Sequence, residues 1–202
     1  MSEQLISAFV TLLVVIDPVG MGPIFLGVTR GLDEATRRKV ALEATLIAFC
    51  VLAASALIGD WLLARLGISL AAFRIAGGLL LFAIAFEMLF QHRSERKSQQ
   101  AGPAGAVTAT FPLAIPLMAG PGAITAMVLL AGRLGYTTMG LAALILIMGV
   151  MMLTSYLVFL SAARLERLLG PQGEALLGRL LGVLLAALAV QYVADGIKSL
   201  SG

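Results

Sequence analysis

Six predominantly apolar runs, at residues 5–29, 40–63, 69–90, 109–131, 138–162 and 176–197, are each long enough to cross a hydrocarbon core about 30 Å thick. Short polar connections separate them. Backbone N–H and C=O groups inside a bilayer must be bonded within the segment. The runs are therefore predicted to be helices and the fold class all-α, that of a polytopic membrane protein with six transmembrane helices. Composition points the same way: 60% of the 202 residues are hydrophobic and 12% are charged, with no polar stretch from which a soluble domain could form. The lipid bilayer is the implied partner. The net charge of +3 marks no nucleic-acid surface, because the basic residues are dispersed among the connections.

Ten of them, Arg30, Arg37, Arg38, Lys39, Arg93, Arg96, Lys97, Arg164, Arg167 and Arg179, fall on alternate connections. The opposite side has only Arg65, Arg74, Arg133 and Lys198. The positive-inside rule then predicts both termini outside; Trp61, Phe90, Tyr136 and Tyr192 fall near span ends, where their rings suit the interface or, as the alternative for any one of them, packing. The first run lacks the basic flank and small-residue cleavage site of a signal peptide and is expected to be retained.

Two of the runs are interrupted. Asp17-Pro18-Val19-Gly20-Met21-Gly22-Pro23 breaks the first, and Pro116-Leu117-Met118-Ala119-Gly120-Pro121-Gly122 breaks the fourth. A proline inside a helix costs about 3 kcal/mol, and an Asp at mid-membrane about 2.5 to 3.5 kcal/mol. Something must offset both. Pro18, Gly22 and Pro23 match Pro116, Gly120 and Pro121 at a constant offset, and the stretch from Arg74 to Ala85 resembles that from Arg179 to Val190. This divides the chain into a first three-helix repeat (1–90), a cytoplasmic linker (91–108) and a second repeat (109–202). Because three is odd, the second repeat runs inverted. Inverted repeats whose broken helices meet at mid-depth are a mark of secondary transporters.

Counted along its helix, Asp17 is expected near the bilayer middle. Gly22-Pro23 and Gly120-Pro121 read as helix restarts, each leaving unpaired N–H groups and a partial positive charge suited to a carboxylate. Asp17 suits an ammonium group or a proton, and a small zwitterion satisfies both ends. The candidate substrate-binding residues are Asp17, Pro18, Gly20, Met21, Gly22, Pro23, Ala119, Gly120, Pro121, Gly122 and Thr125, the last offering a hydroxyl one turn into the second restart. The plainer alternative is that the prolines kink, the glycines pack and Asp17 caps a half-helix.

Other residues carry less. Glu43 and Glu87 stand near basic residues and suit interfacial pairing, and Asp60 and Asp195 lie at outer span ends. His92 is the lone histidine, which leaves no zinc set and no histidine-based triad. Cys50 and the cluster Met148, Met151 and Met152 are expected to be packing, as are the pairs Gly27/Gly31 and Gly178/Gly182. With neither a Walker sequence nor a dinucleotide fingerprint, no cofactor and no enzymatic activity are expected.

Through Asp17-Pro18-Val19-Gly20-Met21-Gly22-Pro23-Ile24-Phe25 and Pro112-Leu113-Ala114-Ile115-Pro116-Leu117-Met118-Ala119-Gly120-Pro121-Gly122-Ala123-Ile124-Thr125, the chain resembles the MarC family of bacterial inner-membrane proteins. The resemblance implies six transmembrane helices and, through SnatA-type members, transport of small neutral amino acids such as glycine and alanine. Many members have Asn at the positions of Asp17 and Met21; an acid at the first is compatible with proton coupling. The expectation is a secondary transporter, with an exporter of other small or amphipathic compounds or a non-transporting scaffold as alternatives. A homo-oligomer is compatible with each.

Overall fold

The computed structural model describes residues 2–90, 110 and 113–201, and every described element is helical. In chain order these are α1 (Ser2–Ile16), α2 (Met21–Val28), α3 (Glu34–Arg65) and α4 (Leu70–Leu89), a short wide-turn segment (Leu113–Met118), and α5 (Pro121–Arg133). The helical run Thr138–Ser201 then divides at Gly170 into α6 (Thr138–Leu165) and α7 (Ala175–Leu200). Gly170 has φ 60° and ψ 173°, a region essentially reserved for glycine, and the proline that follows favours an extended residue before it.

Among the described residues, five stretches are long and apolar enough to cross a membrane: α1 and α2 in tandem (Glu3–Val28), α3, α4, α6 and α7. The sixth expected span is not among them. The run placed at 109–131 resolves into the six-residue segment and the 13-residue α5, which rises only about 20 Å. The two broken elements also differ in proportion, with 15 and 8 residues in the first and 6 and 13 in the second. The linker assigned to 91–108, with His92, Arg93, Arg96 and Lys97, lies outside the described residues.

Side-chain caps set three of the starts, the Thr137 hydroxyl accepting from the Gly140 N–H at 3.1 Å ahead of α6. Asp33 accepts from the Thr36 N–H (3.1 Å) and the Thr36 hydroxyl (2.6 Å), bonds that favour the charged carboxylate and hold its pKa below the usual value. Its contribution to α3 is present above the ordinary carboxylate pKa and is lost as pH falls through the lowered one. Ser69 accepts from the Ala72 N–H at 3.1 Å and starts α4. Ser69→Ala is expected to lower the unfolding free energy by about 1 kcal/mol, measurable by thermal unfolding in detergent.

Lipid is as apolar as leucine, so close packing, and not exclusion from water, must hold these helices together. Antiparallel α4 and α7 meet through glycines. Gly78 lies on Ala189 and Val193, Gly196 on Ala71 and Ile75, and Gly182 on Ala85, Met88 and Leu89. Small residues such as Ala41, Ala44, Ala48 and Ala126 fill the interior with Met127, Met148 and Met151, while Leu80, Leu146, Leu153 and Leu184 point outward. Three expectations are corrected. Gly27, Gly31 and Gly178 touch nothing that a Cβ would meet, so these GxxxG positions do not pack helices; Cys50 is exposed; and Tyr192, assigned to an interface, is 0% exposed. Trp61 and Phe90 are exposed as expected. Tyr136, in the turn between α5 and α6, has its pKa pushed up to about 12 by burial and by Asp60, so its phenol stays protonated across the physiological range.

Candidate functional site at the two helix breaks

α1 stops because Asp17, just ahead of Pro18, turns into the left-handed region at φ 55°. The turn that follows bonds itself closed. The Asp17 carboxylate accepts from the Gly20 N–H (3.1 Å), the Asp17 carbonyl from the Met21 N–H (3.1 Å) and the Val19 carbonyl from the Gly22 N–H (3.0 Å), and Pro23 has no N–H to satisfy. Helix α2 therefore starts at Met21, two residues before the expected restart at Pro23, and its first amides are already bonded. Gly20 permits this, because a Cβ there would sit 2.8 Å from Cγ and 2.9 Å from Oδ1 of Asp17. Met21 is fully buried, and Gly22 faces Val158 and Ala162 of α6. Phe25 stacks on Phe159 with centroids 4.6 Å apart, and the Arg37 guanidinium lies 5.9 Å from the Phe25 ring centre. These contacts fix α2 against the end of α6 that leads into Arg164 and Arg167.

The second break is built differently. In Leu113–Met118 the chain makes a wide turn in which the Ala119 N–H donates to the Ala114 carbonyl at 2.8 Å, across a cis Ile115–Pro116 peptide. Gly120 is extended, and a Cβ on it would collide with the Pro116 carbonyl. Pro121 is the first residue of α5, as its sequence predicts. Gly120 offers no side-chain cap, and the Ile124 N–H donates to the Gly120 carbonyl at 3.0 Å. The Gly122 and Ala123 N–H groups have no acceptor among the described residues. Unpaired amides here leave the positive end of α5 uncovered.

Thr125 adds a hydroxyl. Of the five buried Thr and Ser residues among those described, Thr11, Thr29, Thr45 and Ser155 each donate to the carbonyl one turn earlier. Thr125 makes no such bond, and its methyl group rests on Gly77 of α4.

The two breaks are neighbours. A Cβ on Gly122 would lie 3.8 Å from Val15, two residues before Asp17, and would collide with Ile84 of α4. Ile84 is about three quarters of the way along α4, so this level lies toward the end of the bundle that carries the basic connections and not at its middle. Of the sequence candidates, Gly120, Pro121 and Gly122 lie at this contact beside buried Ala119, with Thr125 one turn further along α5 against Gly77; Asp17 follows Val15 by two residues and its carboxylate is held on the Gly20 N–H. Pro18, Gly20 and Pro23 belong to the closed turn, while Met21 and Gly22 turn toward the core and α6. Val15, Gly77 and Ile84, which make the floor, escaped sequence reasoning. Only the Gly77-Gly78 pair, a gap in an otherwise bulky apolar face, signalled a close approach.

The profile described as MarC family integral membrane protein matches residues 2–201. Over 198 residues the chain is 35% identical to a UPF0056 membrane protein of Archaeoglobus fulgidus, covering 95% of this chain and 91% of that one. It is 34% identical over 199 residues to a UPF0056 membrane protein of Aquifex aeolicus, covering 96% and 92%. The same identity over 200 residues, 97% of both chains, relates it to the UPF0056 inner membrane protein YhgN of Escherichia coli K12. No solved structure matches significantly.

Proposed function

Because the chain belongs to the MarC family of integral membrane proteins, we propose that it is a secondary transporter of small neutral amino acids of the glycine and alanine type. It works in the bacterial inner membrane, where its E. coli relative is named, with both termini outside. Its two broken elements belong to inverted three-helix halves, and its sixth traverse is the wide turn together with α5.

One observation carries the reading: α5 begins with open Gly122 and Ala123 amides and the unbonded Thr125 hydroxyl, directly beside the break in α1. Three donors at the positive end of a helix suit the substrate carboxylate, and Asp17 suits its ammonium group or a coupling proton. The closed first turn of α2 makes the site one-sided, with a single helix N-terminus for the carboxylate. Gly120 and Gly122 keep it small, which favours side chains no larger than a methyl group.

Uptake of radiolabelled glycine into proteoliposomes under an imposed proton or sodium gradient tests this. Thr125→Val keeps shape and removes the hydroxyl. It is expected to lower uptake about tenfold or more, the loss of one hydrogen bond to a charged group, without changing thermal stability. Undiminished uptake by that variant, or no uptake by the wild type under either gradient, overturns the proposal.

A further inference from the structure

At the other end of the bundle, about ten residues back along α4 from Ile84, a second polar group is enclosed by apolar helices. Arg133, the last residue of α5, pairs with Asp195 of α7 at 2.7 Å, and Gln191 donates to the other Asp195 oxygen at 2.7 Å. The Arg133 guanidinium carbon lies 4.3 Å from the centre of the Tyr192 ring. Arg74 of α4 is fixed at the same level, because Ala71 and Ile75 touch Gly196 while Gly78 touches Ala189 and Val193.

Two features are unaccounted for by packing. The Tyr192 hydroxyl, on a fully buried side chain, makes no hydrogen bond of ordinary length; the Thr11 hydroxyl beside it donates to the Ser7 carbonyl and offers the phenol only a long, weak contact. The Nε of Arg74 is buried and unpartnered. Charge is also unbalanced, since two guanidiniums share one carboxylate whose two oxygens are both engaged. A buried guanidinium N–H and a buried phenol O–H in one cluster, both without an acceptor and with positive charge in excess, are costly unless an acceptor joins them.

We propose that Arg74 and the Tyr192 hydroxyl form a binding site for a carboxylate, lying behind the Arg133–Asp195 ion pair. The guanidinium supplies the charge and the phenol a second donor, so a planar carboxylate engages both. The ion pair controls access, because an entering carboxylate competes with Asp195 for the same cations. The site stands on these residues and not on the reading of the helix breaks, from which it is separated by about 15 Å of α4.

The test titrates the purified full-length protein in detergent with sodium acetate against sodium chloride at matched ionic strength, following Tm. Acetate is expected to raise Tm in the wild type, with apparent affinity weakened about tenfold or more in Tyr192→Phe and in Arg74→Gln. Tyr192→Phe deletes a hydroxyl that makes no hydrogen bond of ordinary length, so its Tm in chloride should match or exceed that of the wild type. An equal acetate response in wild type and Tyr192→Phe overturns the site. So does a response to inorganic phosphate without one to acetate, which would assign the cluster to lipid headgroups. Glycine uptake without acetate binding would sink this site and leave the transport reading standing; acetate binding without uptake would do the reverse.

Discussion

Gly78→Leu is expected to leave little folded protein, losing more than about 3 kcal/mol of stability, beyond the usual range for overpacking a core. A Cβ at this position would lie 2.8 Å from the Ala189 carbonyl oxygen and 3.1 Å from the Val193 amide nitrogen. Both are backbone atoms of α7, which cannot rotate aside. Relief requires α4 and α7 to separate, although they pack backbone to backbone along most of α7, from Gly182 to Gly196. Gly178→Ala is the control. Gly178 is in the same helix but meets nothing within 4 Å, so added helix propensity should stabilise by up to about 1 kcal/mol. Thermal unfolding and size-exclusion profiles of both variants in detergent decide the matter: a Gly78→Leu protein that elutes and melts like the wild type would show that this interface is not what binds the two helices.

Hydropathy made the long helices legible, because a segment that must satisfy its own backbone in lipid leaves a run of about 20 apolar residues whatever its neighbours are. The same signal read 109–131 as one helix. Those residues are apolar, but the chain there is divided between a wide turn, an extended Gly120 and the 13-residue α5. Pro121 as a first helical residue was readable, since a proline after glycine needs no further context. Met21 in place of Pro23 was not, because the start of α2 depends on a carboxylate three residues upstream folding over Gly20. GxxxG spacing announces a smooth face without saying what lies against it; Gly182 meets α4 while Gly178, on the same helix, meets nothing. Tyr192 failed for a related reason. Proximity to a span end suggested an interface, whereas the residues that enclose it, Arg74, Arg133 and Thr11, come from three other helices that only tertiary packing assembles.

Replacing Asp17 should separate backbone, cap and charge at the first break. Asp17 does two structural things: it occupies φ 55°, and its carboxylate accepts from the Gly20 N–H at the positive end of α2. Asparagine keeps both, since it tolerates the left-handed region and has an acceptor oxygen. Asp17→Asn should cost less than about 1 kcal/mol, the interaction of a charge with the helix end. Glycine keeps the backbone and loses the cap, at about 1 kcal/mol. Alanine loses both, so the cap and about 1 to 2 kcal/mol of left-handed strain should sum to about 2 to 3 kcal/mol. The predicted order of thermal stability is wild type, Asn, Gly, Ala. Because Asn preserves the fold, it isolates the charge: glycine uptake by Asp17→Asn proteoliposomes should fall while the protein stays folded. If Ala proves as stable as Asn, the turn does not depend on Asp17. If Asn transports glycine as fast as the wild type, the charge takes no part in transport and the side chain serves α2 alone.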